Sequence, residues 1–179
     1  MIIKNEIIVL GGGCFWCTEA VFLKLKGVIS VTSGYSGGIV ENPNYYEVSE
    51  GNTQHAEVIK VVFDPKIISF KDLLAVFFAV HNPTSLNRQG NDSGTQYRSI
   101  IMYTTEKQKK ESEEAIKKIN DSGELGGSVV TEITPLVKFF TAEEYHQNYY
   151  QRNIDQPYCT FIIQPKLEKL QEKFKNILK

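Results

Sequence analysis

The chain has 179 residues, enough for one domain with a proper core, and its 20 basic and 21 acidic residues nearly cancel. That balance argues against a polyanionic partner, so nucleic-acid binding is not expected. Three cysteines, an odd number, do not make a disulfide scaffold, no apolar run reaches membrane-spanning length, and the start, Met1 to Glu6, lacks the long apolar stretch of a secretory leader. A cytoplasmic protein with free, catalytic or structural thiols is therefore expected.

Ile7-Ile8-Val9-Leu10 reads as a short buried strand, followed by Gly11-Gly12-Gly13 and then Cys14-Phe15-Trp16-Cys17. Beyond it Cys17, Ala20, Val21 and Leu25 fall at helical spacing, and Lys24, Lys26 and Gly27 read as a helix C-terminus. Cys14 thus stands where a glycine turn feeds a helix, and free N–H groups with the positive end of the helix dipole favour a thiolate there. Phe15 and Trp16 would form an aromatic wall beside a nucleophile. The alternative is that the glycines make a plain turn and both cysteines are small core hydrophobes.

Residues 28–35 read as a strand that runs into a glycine-punctuated loop holding Gly37-Gly38 and Asn42-Pro43-Asn44-Tyr45-Tyr46. Tyrosines in such a loop either decorate the surface or aim hydroxyls into a pocket. His55 to Asp64 is a second strand, apolar on both faces and therefore central. Glu57 shares a face with Ile59, Val61 and Phe63. If buried it would hold its proton near neutral pH; if it lies at a frayed strand end it sits in water. Ser69 to His81 is a core helix opened by a Ser69/Asp72 capping box and stopped by Pro83, with His81 a hydrogen-bonded end-cap residue rather than a ligand.

Asn82 to Thr95 is a polar loop long enough to be functional or disordered, and it leads into a strand over Gln96–Tyr103. Thr105 and Gln108 open a charged, peripheral helix to about Asp121. Val129–Ile133 and Leu136–Phe140 are strand candidates around Pro135. Thr141 and Glu144 are expected to cap a short helix carrying Tyr145, His146, Tyr149 and Tyr150. The end holds Pro157-Tyr158-Cys159, then Phe161-Ile162-Ile163, then an amphipathic helix with Leu167, Leu170, Phe174 and Leu178. The elements predict one α+β domain over 1–179 with helices on a sheet and a C-terminal tail over about 153–179.

Several blocks together resemble the A-type peptide methionine sulfoxide reductases. They are Gly13-Cys14-Phe15-Trp16, Gly34-Tyr35-Ser36-Gly37-Gly38 with Asn42-Pro43-Asn44-Tyr45, His55-Ala56-Glu57-Val58 within Gly51–Pro65, Gly94-Thr95-Gln96-Tyr97-Arg98-Ser99, and Tyr145-His146-Gln147. They occur in the family's order and span about Gly12 to Leu170. The resemblance implies a ferredoxin-like two-layer sandwich with a mixed sheet. It also implies reduction of the S epimer of methionine sulfoxide, free or in proteins. Cys14 would be the nucleophile, Phe15 and Trp16 would wall the substrate methyl, and Glu57, Tyr45, Tyr97 and Asp92 would surround the sulfoxide oxygen.

Chemistry fits those roles. Attack at a sulfoxide sulfur needs a proton or strong donors at the oxygen, which two phenols and a protonated carboxyl supply. Cys14 would become a sulfenic acid and condense with a second thiol, and thioredoxin would restore the dithiol. No metal, flavin or nucleotide is called for, and a monomer is expected.

The sequence departs from the commoner family pattern in carrying Cys17 where many members have glycine, and a single Cys159 where some have a two-cysteine tail. Cys159, after the polar segment Asn153–Pro157, is the expected resolving thiol; Cys17, read as core-facing with a raised pKa, is the alternative. Rival readings are a thioredoxin-type disulfide oxidoreductase using Cys14-x-x-Cys17, which leaves the tyrosines and Glu57 without a purpose, and a zinc module, which lacks a second ligand pair.

Overall fold

The structure is a computed structural model and describes residues 5–179; the reading of the first four residues, Met1–Lys4, lies outside it. Strand β1 (Glu6–Gly11) leads through the glycines to helix α1 (Phe15–Phe22), then β2 (Val28–Ser36), a short α2 (Tyr45–Ser49), β3 (Ala56–Phe63) and α3 (Phe70–Val80). A two-residue hairpin, β4 (Arg88–Gln89) and β5 (Asp92–Ser93), precedes β6 (Ile100–Tyr103), α4 (Glu106–Ser122), β7 (Glu132–Pro135), β8 (Phe139–Thr141), α5 (Tyr149–Arg152) and α6 (Gln164–Phe174).

The six-stranded sheet runs β7-β6-β1-β3-β2-β8. Its centre, β6-β1-β3-β2, is antiparallel throughout, and with α1 and α3 it makes the βαββαβ arrangement of a ferredoxin-like sandwich. β7 adds parallel to β6 and β8 antiparallel to β2, which makes the sheet mixed. The expected α+β architecture is the observed one. Among the described residues no helix is long and apolar enough to cross a membrane.

β3 occupies the middle of the sheet because both its faces are apolar. Ile59, Val61 and Phe63 enter the main core with α1, α3 and α6, while Ala56 and Val58 join Val9, Ile100 and Met102 in a smaller cluster on the opposite face. The Ser69/Asp72 capping box opens α3 as expected. His81, at its end, contacts the Phe77 carbonyl at 2.5 Å and the Ser99 hydroxyl at 2.7 Å. Burial drives its imidazole down to about 4, so it is neutral.

Several boundaries differ from the expectation, each for a tertiary reason. α1 stops at Phe22 rather than near Gly27, because Leu25 pairs with Leu178 and the Lys26 N–H donates to the Ile177 carbonyl. Only Ile100–Tyr103 of the 96–103 segment is strand, Thr95–Tyr97 being a 3-10 turn. The two strands around Pro135 begin three residues late and separate to opposite sheet edges. The helix expected after Thr141 is two pieces, a 3-10 turn Glu144–His146 and α5, split at Asn148 with φ +53°. The Glu19 carboxylate, buried inside α1, accepts the Asn148 and Tyr149 N–H groups and so opens α5 in place of the expected cap.

The C-terminal tail is the largest correction. Cys159–Ile163 is a π-helical turn that continues directly into α6, with Cys159, Ile163 and Leu170 buried. The segment before Cys159 therefore leads into a helix docked on the core.

Candidate active site

Cys14 is the N-cap of α1, and its side chain makes no cap bond. Gly13 reaches this turn with φ +94°, and a Cβ there would meet the Gln89 side chain at 2.8 Å, so glycine is needed both for conformation and for space. The turn delivers the Phe15 N–H to Glu57 on β3, which accepts it at 3.1 Å. Glu57 is 2% exposed, on the face it shares with Ile59, Val61 and Phe63. Burial raises its pKa to about 8 against the pull of the Phe15 N–H, and the negative charges of Asp92 and Cys17 add to the rise. Of the two readings of Glu57, the buried one is the observed one.

Cys14 departs from the expectation of a thiolate. Burial pushes its thiol well above the ordinary value, helped by the Cys17 side chain it hydrogen-bonds and by Glu57, and the Trp16 N–H only partly offsets this. Cys17 departs in the opposite direction. It is buried as expected, but its hydrogen bond with Cys14 brings it down to about 7 against the effect of burial, with Lys166 and the Tyr158 hydroxyl helping. Its sulfur lies 3.6 Å from the Tyr158 hydroxyl. In the first turn of α1, exposed amide dipoles favour the same charge. All three cysteines are free. Cys159 is fully buried, and burial raises its pKa.

Tyr45 begins α2, which opens with an Asn44/Glu47 capping box; its backbone N–H donates to Glu143 at 3.0 Å. Burial pushes its phenol up to about 12, with Glu57 and Cys14 adding. Tyr97, in the 3-10 turn before β6, is raised by burial and then by Glu57, Tyr45, Asp92 and Cys14. Both phenols are thus held protonated, within electrostatic reach of the same thiol and carboxyl. Asp92, on the β4–β5 hairpin, accepts the Tyr158 hydroxyl at 2.7 Å.

Phe15 is fully buried against Tyr35 and His146, with ring centroids at 5.7 and 5.0 Å. Trp16 is half-buried, stacked on Tyr149 at 3.6 Å and edge-on to Tyr158 at 5.7 Å. Its indole N–H donates to Nδ1 of the fully buried His146 at 2.9 Å, which places the imidazole proton on Nε2; burial keeps this ring neutral by lowering its pKa.

A cleft of about 660 Å³ reaches Cys14, Cys17 and Asp92, and Tyr158 forms part of its wall. Phe15, Trp16, Tyr45, Glu57 and Tyr97 do not line it. Tyr158 lies at the junction, its ring edge on Trp16 and its hydroxyl on Asp92. Cys14 and Cys17 thus reach the cleft from the edge of the core, while Phe15 and Cys159 are buried within it.

Sequence reasoning did not assign roles to Tyr158, Tyr149, His146 or Glu143. The density of tyrosines from Tyr145 to Tyr158 was the available signal for the first two. Glu143, which accepts the Tyr35 hydroxyl and the Tyr45 N–H at 3.0 Å each, had no signal, since its partners lie about a hundred residues away.

The profile of the peptide methionine sulfoxide reductase family matches residues 6–178. The peptide methionine sulfoxide reductases MsrA of Sulfolobus acidocaldarius and Acinetobacter baumannii are 53% and 54% identical to this chain over 169 residues. Each alignment covers 94% of this chain, and 95% and 96% of those proteins. Reduced Mxr1 from Saccharomyces cerevisiae superimposes with a TM-score of 0.82 at 34% identity, covering 89% of this chain and 91% of that one. Mxr1 in complex with Trx2 aligns with a TM-score of 0.59 at 26% identity, covering 83% and 87%. The chain belongs to the MsrA family of peptide methionine sulfoxide reductases.

Proposed function

We propose that this chain reduces the S epimer of methionine sulfoxide, free or in proteins, through a sulfenic acid on Cys14, and that thioredoxin returns it to the dithiol state. The observation that carries this reading is Glu57, a buried carboxyl with a pKa of about 8, whose oxygen receives the N–H that follows the N-cap cysteine. A carboxyl in that state is a proton donor at neutral pH, and its bond to the Phe15 N–H holds it beside the turn that carries Cys14.

As the Cys14 sulfur attacks, Glu57 donates to the oxygen, and Tyr45 and Tyr97 hydrogen-bond to it. The substrate's S–O bond breaks, the oxygen ends on Cys14 as S–OH, the thiol proton replaces the one Glu57 gave, and the thioether leaves. Phe15 and Trp16 wall the methyl group, with His146 holding the indole in place. Asp92 acts through its bond to Tyr158.

A second thiol then attacks the sulfenic sulfur, forming a disulfide and releasing water. Cys17 takes this role ahead of Cys159, which was expected from the sequence. Cys17 shares the cleft with Cys14 and is lowered to about 7, whereas Cys159 is fully buried and its pKa is raised. Thioredoxin would then give its electrons to the Cys14–Cys17 disulfide and restore the dithiol; the Mxr1–Trx2 complex supports that partner. Free thiols suit a reducing cytoplasm, and a monomer suffices because the gathered groups come from one chain.

Turnover of the resolved S and R sulfoxides with dithiothreitol as reductant tests the reading. Reduction of S alone supports it; equal rates on both, or none on either, contradicts it.

A further inference from the structure

From Tyr158 onward the C-terminal helical segment lines the cysteine cleft with one continuous stripe, Tyr158, Phe161, Ile162, Pro165, Lys166 and Lys169. The spacing of three and four residues is that of a single helix face. α6 packs against α1 and α3, so the side chain of Lys166 enters the cleft that both Cys14 and Cys17 reach. None of the steps assigned to Cys14, Glu57 and the two phenols uses a lysine, yet this side chain lines the same cleft as the cysteine pair.

We infer that Lys166 is a positioning residue for disulfide closure, its ammonium holding Cys17 as the thiolate that attacks the Cys14 sulfenic acid. This rests on the reading of Cys17 as the resolving thiol. The neighbouring groups come from every element around the pair. Cys14 hydrogen-bonds Cys17 from the N-cap of α1, Tyr158 contacts it from the C-terminal segment, Asp92 sits on the hairpin, Glu57 on β3 and Cys159 behind. His81 ends α3 as a neutral imidazole, and Lys169 lies further along the stripe.

Of these, Asp92 and Glu57 carry or can carry negative charge and oppose a thiolate. Lys166 is the cation that acts on both Cys17 and His81, favouring the charged thiolate and disfavouring a charged imidazole. Once the Cys14 thiol becomes S–OH, the thiol–thiol hydrogen bond is gone. Lys166 then remains to keep Cys17 ionised as its sulfur attacks. The S–S bond forms, the S–O bond breaks, and hydroxide leaves as water after taking a proton.

Removing a nearby ammonium raises a thiol by about one unit, cutting its thiolate about tenfold below neutrality. The more basic thiolate is a better nucleophile, with a slope of about 0.4–0.5, so the net loss of rate is about threefold.

The test is single turnover in the Cys159→Ser protein, where Cys17 is the remaining partner for Cys14. One equivalent of an S-sulfoxide is added, methionine release reports the first step, and trapping of the sulfenic acid reports its decay. Lys166→Met should slow closure about threefold near pH 6, with the rates crossing between about pH 7 and 8 and the variant about threefold faster above about pH 9, while Lys166→Arg restores the Lys166 pH profile. Methionine release should keep its rate in both variants. A closure rate unchanged by Lys166→Met at all pH values overturns the role of Lys166 alone. Equal slowing of both steps, with no rescue by arginine, marks a structural effect and also overturns it. Failure of the Cys159→Ser protein to close at all overturns the Cys17 reading, and the role of Lys166 with it.

Discussion

Glu57→Gln separates catalysis from stability, because the same burial that keeps the carboxyl protonated also costs folding free energy. In the fold the group ionises near 8, against an ordinary value of about 4.5. Its folded-state pKa is raised, so its favourable contribution is complete below 4.5 and is lost as pH rises toward 8. At 1.36 kcal/mol per unit the loss is about 3 kcal/mol at pH 7 and about 5 kcal/mol at and above pH 8. Glutamine keeps the acceptor for the Phe15 N–H but never ionises in either state. The variant should therefore gain on wild type by about those amounts, with the gain vanishing near pH 4. Urea unfolding at constant m, followed from pH 4 to pH 9, measures the difference directly. The first-turnover rate should meanwhile fall by about 10²-fold or more, because an amide donates a hydrogen bond but transfers no proton. A variant whose stability runs parallel to wild type across that range would show that Glu57 is not a buried acid. An unchanged first-turnover rate would remove it from the reaction.

Tyr45→Phe and Tyr97→Phe should each slow sulfenic acid formation modestly, and the double variant by more than the product of the two; a double-mutant cycle measures the coupling, and strict additivity argues against shared donors. Tyr158→Phe removes a hydroxyl that both holds Asp92 and helps lower Cys17, so the pH midpoint for alkylation of Cys17 should move upward. No movement would detach Tyr158 from that thiol. Gly13→Ala should destabilise the fold by about 1 kcal/mol or more in thermal or urea unfolding, since φ +94° and contact with Gln89 both resist a Cβ. A neutral substitution would contradict the turn geometry.

The central place of β3 and the start of α3 were legible because their signals are local. The double-faced apolar run of β3 requires a central place, the capping box of α3 is written in Ser69 and Asp72, and the glycine run before Cys14 announces a turn. The ionisation states of the thiols were not legible. The helix dipole at Cys14 is a local property readable from sequence, whereas the burial that outweighs it comes from the whole sheet and helix layer. Cys17 misled for the same reason: its apolar stripe correctly indicates burial, but the charge of Lys166 arrives from about 150 residues away. Cys159 misled because Asn153–Pro157 is polar, and nothing local reveals that the turn after it is buried through Cys159 and Ile163.

The most direct measurement of the central claim is one turnover without reductant. The enzyme, with its three free thiols, is mixed with one equivalent of methionine S-sulfoxide, and free thiols and methionine are counted. One methionine per chain should appear, two thiols should be lost, and alkylation of the unfolded product should label Cys159 alone, beside a Cys14–Cys17 disulfide. Release of no methionine, or loss of thiols that leaves Cys14 free, would contradict the account.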